Sequence, residues 1–278
     1  MATEFKGTTG LRVAADVGGD PGGPPVILMH GGGQTRHSWG TAFKALVADG
    51  FYVINLDARG HGDSAWDPEG DYALPTLAED LRAVVATLAR PPALVGASMG
   101  GATGLLLVGN TPAPVARALV LVDIVPRLEL DGSAKVQRFM RANVGGFATL
   151  EEAADAVSAY NPHRPRPDNP AGLMKNLRWH ADGRLYWHWD PKFVERRTPS
   201  EPPTFIDSLV AACAGVHIPT LLVRGLKSDI VSESGVADLR RLVPQTEVFD
   251  VPGAGHMVAG DRNDAFNAAI IDFLHRTA

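Results

Sequence analysis

Residues 93–101 read Ala93-Leu94-Val95-Gly96-Ala97-Ser98-Met99-Gly100-Gly101, and a small, apolar, helix-like run from Ala102 to Val108 follows. An apolar strand, a Gly-x-Ser-x-Gly turn and a helix in direct succession make a nucleophile elbow. The turn is so sharp that its serine takes strained backbone angles. Side chains two positions to either side would collide, which explains the glycines at 96 and 100. The serine oxygen then stands clear of the sheet. The new helix aims its N-terminus at it, where developing negative charge is favoured.

Strands and helices alternate outward from this turn. Upstream, Val26-Ile27-Leu28-Met29 is a continuous apolar run, expected of a strand buried on both faces of a parallel sheet. It ends in His30-Gly31-Gly32-Gly33, a glycine loop whose backbone N–H groups can approach a ligand closely. Gly31 and Gly33 are candidate substrate contacts, and His30 is expected to pin the loop rather than act as a base. Ser38 to Ala48 has helical spacing, Tyr52 to Leu56 is the next strand, and Leu74 to Ala89 is an amphipathic helix. Between them lies the polar loop Asp57-Ala58-Arg59-Gly60-His61-Gly62-Asp63-Ser64, in which Asp57 and Arg59 read as structural ties. Downstream, Ala118 to Val122 is another buried strand, ending at Asp123. Phe5 to Val17 reads as a hairpin around Gly7 to Gly10. The alternation argues for an α/β fold with a doubly wound, mostly parallel sheet.

The pattern breaks from about Arg127 to Pro203. No buried strand is expected there, only helix-like segments (Ala134 to Asn143, Leu150 to Tyr160), a Pro-rich link from Asn161 to Pro167, and an aromatic stretch. Three of the five tryptophans fall in this insert: Trp179, Trp187 and Trp189. The expected organisation is a core of residues 1–126 and 204–278 with a helical cap, 127–203, inserted after the sixth strand. Open α/β sheets bind ligands at the strands' carboxyl ends, so Trp187 and Trp189 are candidate substrate contacts or cap-to-core glue.

The alternation resumes with Thr220 to Arg224, leading into Gly225-Leu226-Lys227-Ser228-Asp229. Glu233 to Leu242 is a helix. Glu247 to Val251 is the last strand, leading into Gly253-Ala254-Gly255-His256-Met257, and Asp261 to His275 is the closing helix. Ser98, Asp229 and His256 each follow a strand, and strand ends on one edge of a parallel sheet bring distant residues together. A serine hydroxyl needs an imidazole to take its proton, and the imidazole needs a carboxylate to hold its tautomer. Asp229 is the favoured acid, because its loop lies one strand before His256. Asp123, also at a strand end, is the rival. The N–H groups of Met99 and Gly32 are the expected oxyanion donors.

Composition excludes several classes. Net charge is −5 with no long Lys/Arg run, which argues against nucleic acid and anionic membranes as partners. The single cysteine, Cys213, excludes an internal disulfide and sits in an apolar run. No stretch of 18 apolar residues suggests a membrane span, and the first residues lack a signal pattern, so the cytoplasm is the expected location. His180 and His188 lack metal-ligand spacing, and no metal is expected.

His30-Gly31-Gly32, Asp57-Ala58-Arg59-Gly60-His61-Gly62, Gly96-Ala97-Ser98-Met99-Gly100-Gly101, Gly225 with Asp229, and Gly255-His256 together resemble the α/β-hydrolase fold superfamily over nearly the whole chain. The similarity is greatest to its capped branch of esterases, lactonases, epoxide hydrolases, dehalogenases and cofactor-free haloperoxidases. It implies an eight-stranded sheet, a Ser-Asp-His triad and no cofactor. Epoxide hydrolases and haloalkane dehalogenases of this type carry aspartate at the elbow; Ser98 argues for acyl chemistry instead. The expected activity is hydrolysis of a small-molecule carboxylic ester, with lactone hydrolysis, C–C hydrolysis and perhydrolysis as rivals on the same triad. A ligand-binding receptor on this fold is the rival from another class.

Overall fold

A computed structural model describes residues 2–161, 166, 168–195, 204–256 and 263–278. In chain order the strands are β1 (Ala2–Lys6), β2 (Arg12–Gly18), β3 (Pro25–Met29), β4 (Tyr52–Leu56), β5 (Ala93–Ala97), β6 (Ala118–Val122), β7 (Leu177–Trp179), β8 (Leu185–Trp187), β9 (Thr220–Gly225) and β10 (Thr246–Val251). The helices are α1 (Gly40–Ala48), α2 (Leu74–Val85), α3 (Met99–Gly109), α4 (Leu130–Ala142), α5 (Leu150–Tyr160), α6 (Lys192–Glu195), α7 (Thr204–Ala212), α8 (Glu233–Leu242) and α9 (Asn263–Arg276). Eight strands form one sheet in the order β1-β2-β4-β3-β5-β6-β9-β10. Its first two pairings, β1 with β2 and β2 with β4, are antiparallel; the rest are parallel.

The continuous apolar runs follow from the two-sided burial of this sheet. Successive strand residues point to opposite faces, and helices cover both. Ile27, Leu94, Leu119 and Leu121 pack on one side with α2, α3, α7 and α8. Val26, Leu28, Val95 and Val120 pack on the other with α1 and α9. Each such side chain contributes about 1.5–3 kcal/mol, so neither face tolerates a polar alternation. Cys213 is buried on the α7 side.

Between β6 and β9 the described residues include a strand pair where only helical segments were expected. β7 and β8 pair antiparallel, Leu177 opposite Trp187 and Trp179 opposite Leu185. Three-residue strands are too short to show a period of two in sequence. Leu177 and Leu185 bury against Phe147 and Ala153 of the same segment. The segment is fastened to the loop after β4: Gly62 N–H donates to His188 O (2.8 Å) and Asp190 N–H to Gly60 O (2.8 Å). The Tyr72 hydroxyl donates to buried Asp190 (2.5 Å). Burial and then Asp190 push the Tyr72 phenol up. Within the Pro-rich link, residues 162–165 and 167 lie outside the described residues, as do Met257 and the first two residues of the expected closing helix, 261 and 262.

Candidate active site

Ser98 sits between β5 and α3 with φ 45° and ψ −112°. The flanking glycines are required by contact. A Cβ on Gly96 would lie 2.4 Å from the Gly100 carbonyl carbon and oxygen, and one on Gly100 would lie 2.4 Å from Met29 O. Ser98 N–H donates to Val122 O (3.0 Å), and Ala102 N–H donates back to Ser98 O (2.9 Å) to close the first helical turn. Helix N-termini leave their first N–H groups without intrahelical partners. That of Met99, beside the serine, has no acceptor among the described residues.

The loop after β3 is held by two buried histidines. His30 Nδ1 lies 2.8 Å from Gly31 O, and His30 Nε2 accepts from Ala58 N–H (3.0 Å). These contacts fix the tautomer with hydrogen on Nδ1, and burial pushes the His30 pKa down. His61 Nε2 accepts from Gly33 N–H (3.1 Å), with His61 Nδ1 3.1 Å from Arg59 O. Both histidines are therefore loop pins. Gly31 N–H is taken by Gln34 Oε1 (3.1 Å), and Gln34 N–H by Gly31 O (3.1 Å). Of the N–H groups at 31–34, that of Gly32 alone has no acceptor among the described residues. Asp57 and Arg59 are structural ties: Asp57 accepts from the Arg36 N–H and guanidinium and from Asp63 N–H, and Arg59 forks onto Asp80 (2.5 and 2.8 Å).

His256 follows β10. Its Nδ1 lies 2.7 Å from Asp123 Oδ2, with the Asp123 side chain fully buried. Asp123 has φ 50°; it and Ser98 are two of the three non-glycine residues of positive φ among those described, an angle aspartate tolerates better than most. This corrects the choice of Asp229 as the partner of His256. The Asp229 carboxylate is 42% exposed and pairs with Lys135 of α4 (2.8 Å). The physical reason is a single-residue turn. In the loop after β9 it is Ser228, not Asp229, that faces inward, and its Oγ lies 2.5 Å from Asp123 Oδ2. Sequence carries no signal for which of two adjacent loop residues turns in.

Ser98, His256, Gly31, Gly32, Gly33 and Met99 line one cavity of about 1310 Å³. Side chains from between β6 and β9 reach the glycine loop at this cavity. A Cβ on Gly32 would lie 3.3 Å from Phe193 Cζ, and one on Gly33, whose φ is 77°, 2.9 Å from Met140 Cε. Trp187 and Trp189 both line the cavity. Trp187 also stacks edge-on against Phe139 and Phe147, while Trp189 is buried with Met140 and Phe193. Sequence reading missed Phe193 and Met140, which carry no motif. Among the described residues, no three His, Cys, Asp or Glu cluster as metal ligands, and no helix is long and apolar enough to cross a membrane.

A family model described as alpha/beta hydrolase fold matches residues 24–262. An esterase of Mycobacterium tuberculosis is 33% identical over 248 residues, 86% of this chain and 78% of that protein. An sn-1-specific diacylglycerol lipase of Mus musculus is 30% identical over 282 residues, 92% of this chain and 82% of that protein. The crystal structure of E-2-(acetamidomethylene)succinate hydrolase superposes with a TM-score of 0.85 at 24% identity, covering 99% of both chains.

Proposed function

The chain belongs to the alpha/beta hydrolase fold family, and from that premise we propose that it hydrolyses carboxylic esters through an acyl-enzyme formed on Ser98. The observation that carries this reading is one cavity lined both by a strained elbow serine and by a histidine tied to a buried carboxylate. Ser98 Oγ attacks the ester carbonyl as His256 Nε2 takes its proton. Asp123 holds the imidazole with hydrogen on Nδ1 and stabilises the cation that forms. The tetrahedral oxyanion is met by the N–H groups of Gly32 and Met99, two donors not spent on the protein itself. His256 then protonates the leaving alcohol, and a water activated by the same imidazole releases the acid.

Residues 127–203 act in this reading as a cap that excludes water and shapes the acyl or alcohol site. Support comes from the contacts of Phe193, Met140 and Trp189 at the glycine loop. The names of the esterase and lipase relatives support ester cleavage. The test is labelling by a fluorophosphonate, with the adduct located by mass spectrometry. Ser98 is expected to be modified, and His256→Ala to slow modification sharply. A folded chain that neither reacts at Ser98 nor turns over p-nitrophenyl esters refutes the proposal.

A further inference from the structure

We propose, on the reading that Ser98, His256 and Asp123 act together, that Ser228 is a positioning residue whose hydroxyl aims the Asp123 carboxylate at His256. A serine hydroxyl has one hydrogen to give and two lone pairs to receive. Both lone pairs are committed here: Ile230 N–H (3.1 Å) and Val231 N–H (3.2 Å) donate to Ser228 Oγ. The single hydrogen is then left for Asp123 Oδ2, 2.5 Å away. Backbone thus fixes a rotor that is otherwise free, and it fixes it toward the acid.

The effect on Asp123 is geometric. Its Oδ1 accepts from Gly225 N–H (3.1 Å), and its Oδ2 accepts from Ser228 and faces His256 Nδ1. Gly225 and Ser228 each hold one oxygen, so the carboxylate cannot rotate about its last torsion. Asp123 is fully buried, so losing Ser228 leaves its Oδ2 one protein partner short. Without Ser228, Oδ2 has His256 alone, and the pair can swing together away from Ser98. The proton that moves in catalysis passes from Ser98 Oγ to His256 Nε2, while that of Ser228 stays on Ser228 throughout. Adjacent residues divide the work: Ser228 turns in to the acid, and Asp229 turns out to Lys135 of α4. A carboxylate at the end of β6 therefore takes its alignment from the loop after β9.

Ser228→Ala, Ser228→Cys and Ser228→Thr test this, each alone and the alanine also with Asp123→Asn. The readouts are the rate of Ser98 labelling by fluorophosphonate, kcat and KM on p-nitrophenyl butyrate, and the melting temperature. Ser228→Ala is expected to lower kcat and labelling about 10-fold with KM unchanged, the loss of one charge-assisted hydrogen bond. Ser228→Thr restores the hydroxyl and is expected within about threefold of the native rate; Ser228→Cys, a weaker donor, falls between. With Asp123→Asn already present, Ser228→Ala changes kcat less than about twofold, because the group it acts through is gone. Should the alanine variant fail to fold, the cysteine variant carries the same comparison. Equal labelling of Ser98 in native and folded Ser228 variants overturns the role of Ser228 and leaves the hydrolase reading standing. A loss of kcat undiminished by Asp123→Asn overturns it too, as does an effect of Ser228→Ala confined to KM. A native chain unlabelled at Ser98 overturns the hydrolase reading and this inference with it.

Discussion

Replacing Asp123 or Asp229 by asparagine separates two carboxylates at neighbouring strand ends. Asp123 is buried and faces His256 Nδ1 at 2.7 Å; Asp229 is 42% exposed and faces Lys135 at 2.8 Å. Asp123→Asn keeps the side-chain volume, removes the charge, and lets an amide N–H₂ face the imidazole. The histidine is then driven to the tautomer whose Nε2 carries hydrogen, which cannot accept the serine proton. In the Ser-His-Asp template that exchange costs about 10,000-fold in kcat, or about 5.4 kcal/mol of transition-state stabilisation. An exposed ion pair contributes about 0–1 kcal/mol, so Asp229→Asn is expected to change kcat less than about fivefold. The assay is kcat/KM on p-nitrophenyl butyrate at neutral pH, with melting curves to show that both variants are folded. The expected gap of about three orders of magnitude exceeds any plausible error in either figure. A folded Asp229→Asn variant with the large loss, beside a nearly normal Asp123→Asn, refutes the assignment.

Acid is expected to destabilise the fold through the half-buried His188 and the buried His30. Burial first, and the Arg178 guanidinium next, push His188 down to about 4, against the opposing pull of Asp63 and Asp57, and burial pushes His30 down as well. A depressed histidine is neutral in the fold and charged sooner in the unfolded chain, so the stability it contributes is full above its unfolded value near 6.5 and is lost as pH falls toward 4. Melting temperature should drop between about pH 7 and pH 5, and His188→Gln should flatten that slope; an unchanged slope counts against the assignment. Trp187→Ala removes a ring that lines the cavity and braces Phe139 and Phe147, and is expected to raise KM several-fold more for bulky apolar esters than for acetates. Equal effects on both would remove Trp187 from substrate discrimination. The described residues lining the cavity include Lys44, Arg141, Arg166 and Lys175 and no Asp or Glu, although the chain carries net charge −5. An ester bearing a free carboxylate should therefore show a higher kcat/KM than its amide analogue at low ionic strength, the advantage shrinking with salt; no salt-sensitive difference refutes this.

The elbow is where sequence spoke most plainly, because its constraint is local. Gly96 and Gly100 are set by backbone atoms within one turn and the neighbouring strand end. The apolar runs of β3, β5 and β6 were equally plain, since their two buried faces follow from helical partners on both sides. His30 was legible as a pin of the glycine loop, and Gly32 and His256 as candidates, because each lies at or just after a strand end. The hairpin of β7 and β8 was not, because three residues carry no readable period, and Phe193 and Met140 reach the glycine loop from far along the chain.

The sequence by itself determined the fold class, and it brought forward Ser98, His256 and the glycine loop as candidates for nucleophile, base and oxyanion donors, since each is written in a short motif beside a strand. Which carboxylate serves His256 was decided by tertiary structure. Asp123 and Asp229 both follow strands, and those strands, β6 and β9, are neighbours in the sheet. The difference between them is the direction of one side chain in each loop: Asp123, at φ 50°, turns toward His256, while the loop after β9 spends its inward position on Ser228. A side chain's direction at a strand end depends on what packs across from it, and for Asp123 that partner lies 133 residues away in the chain.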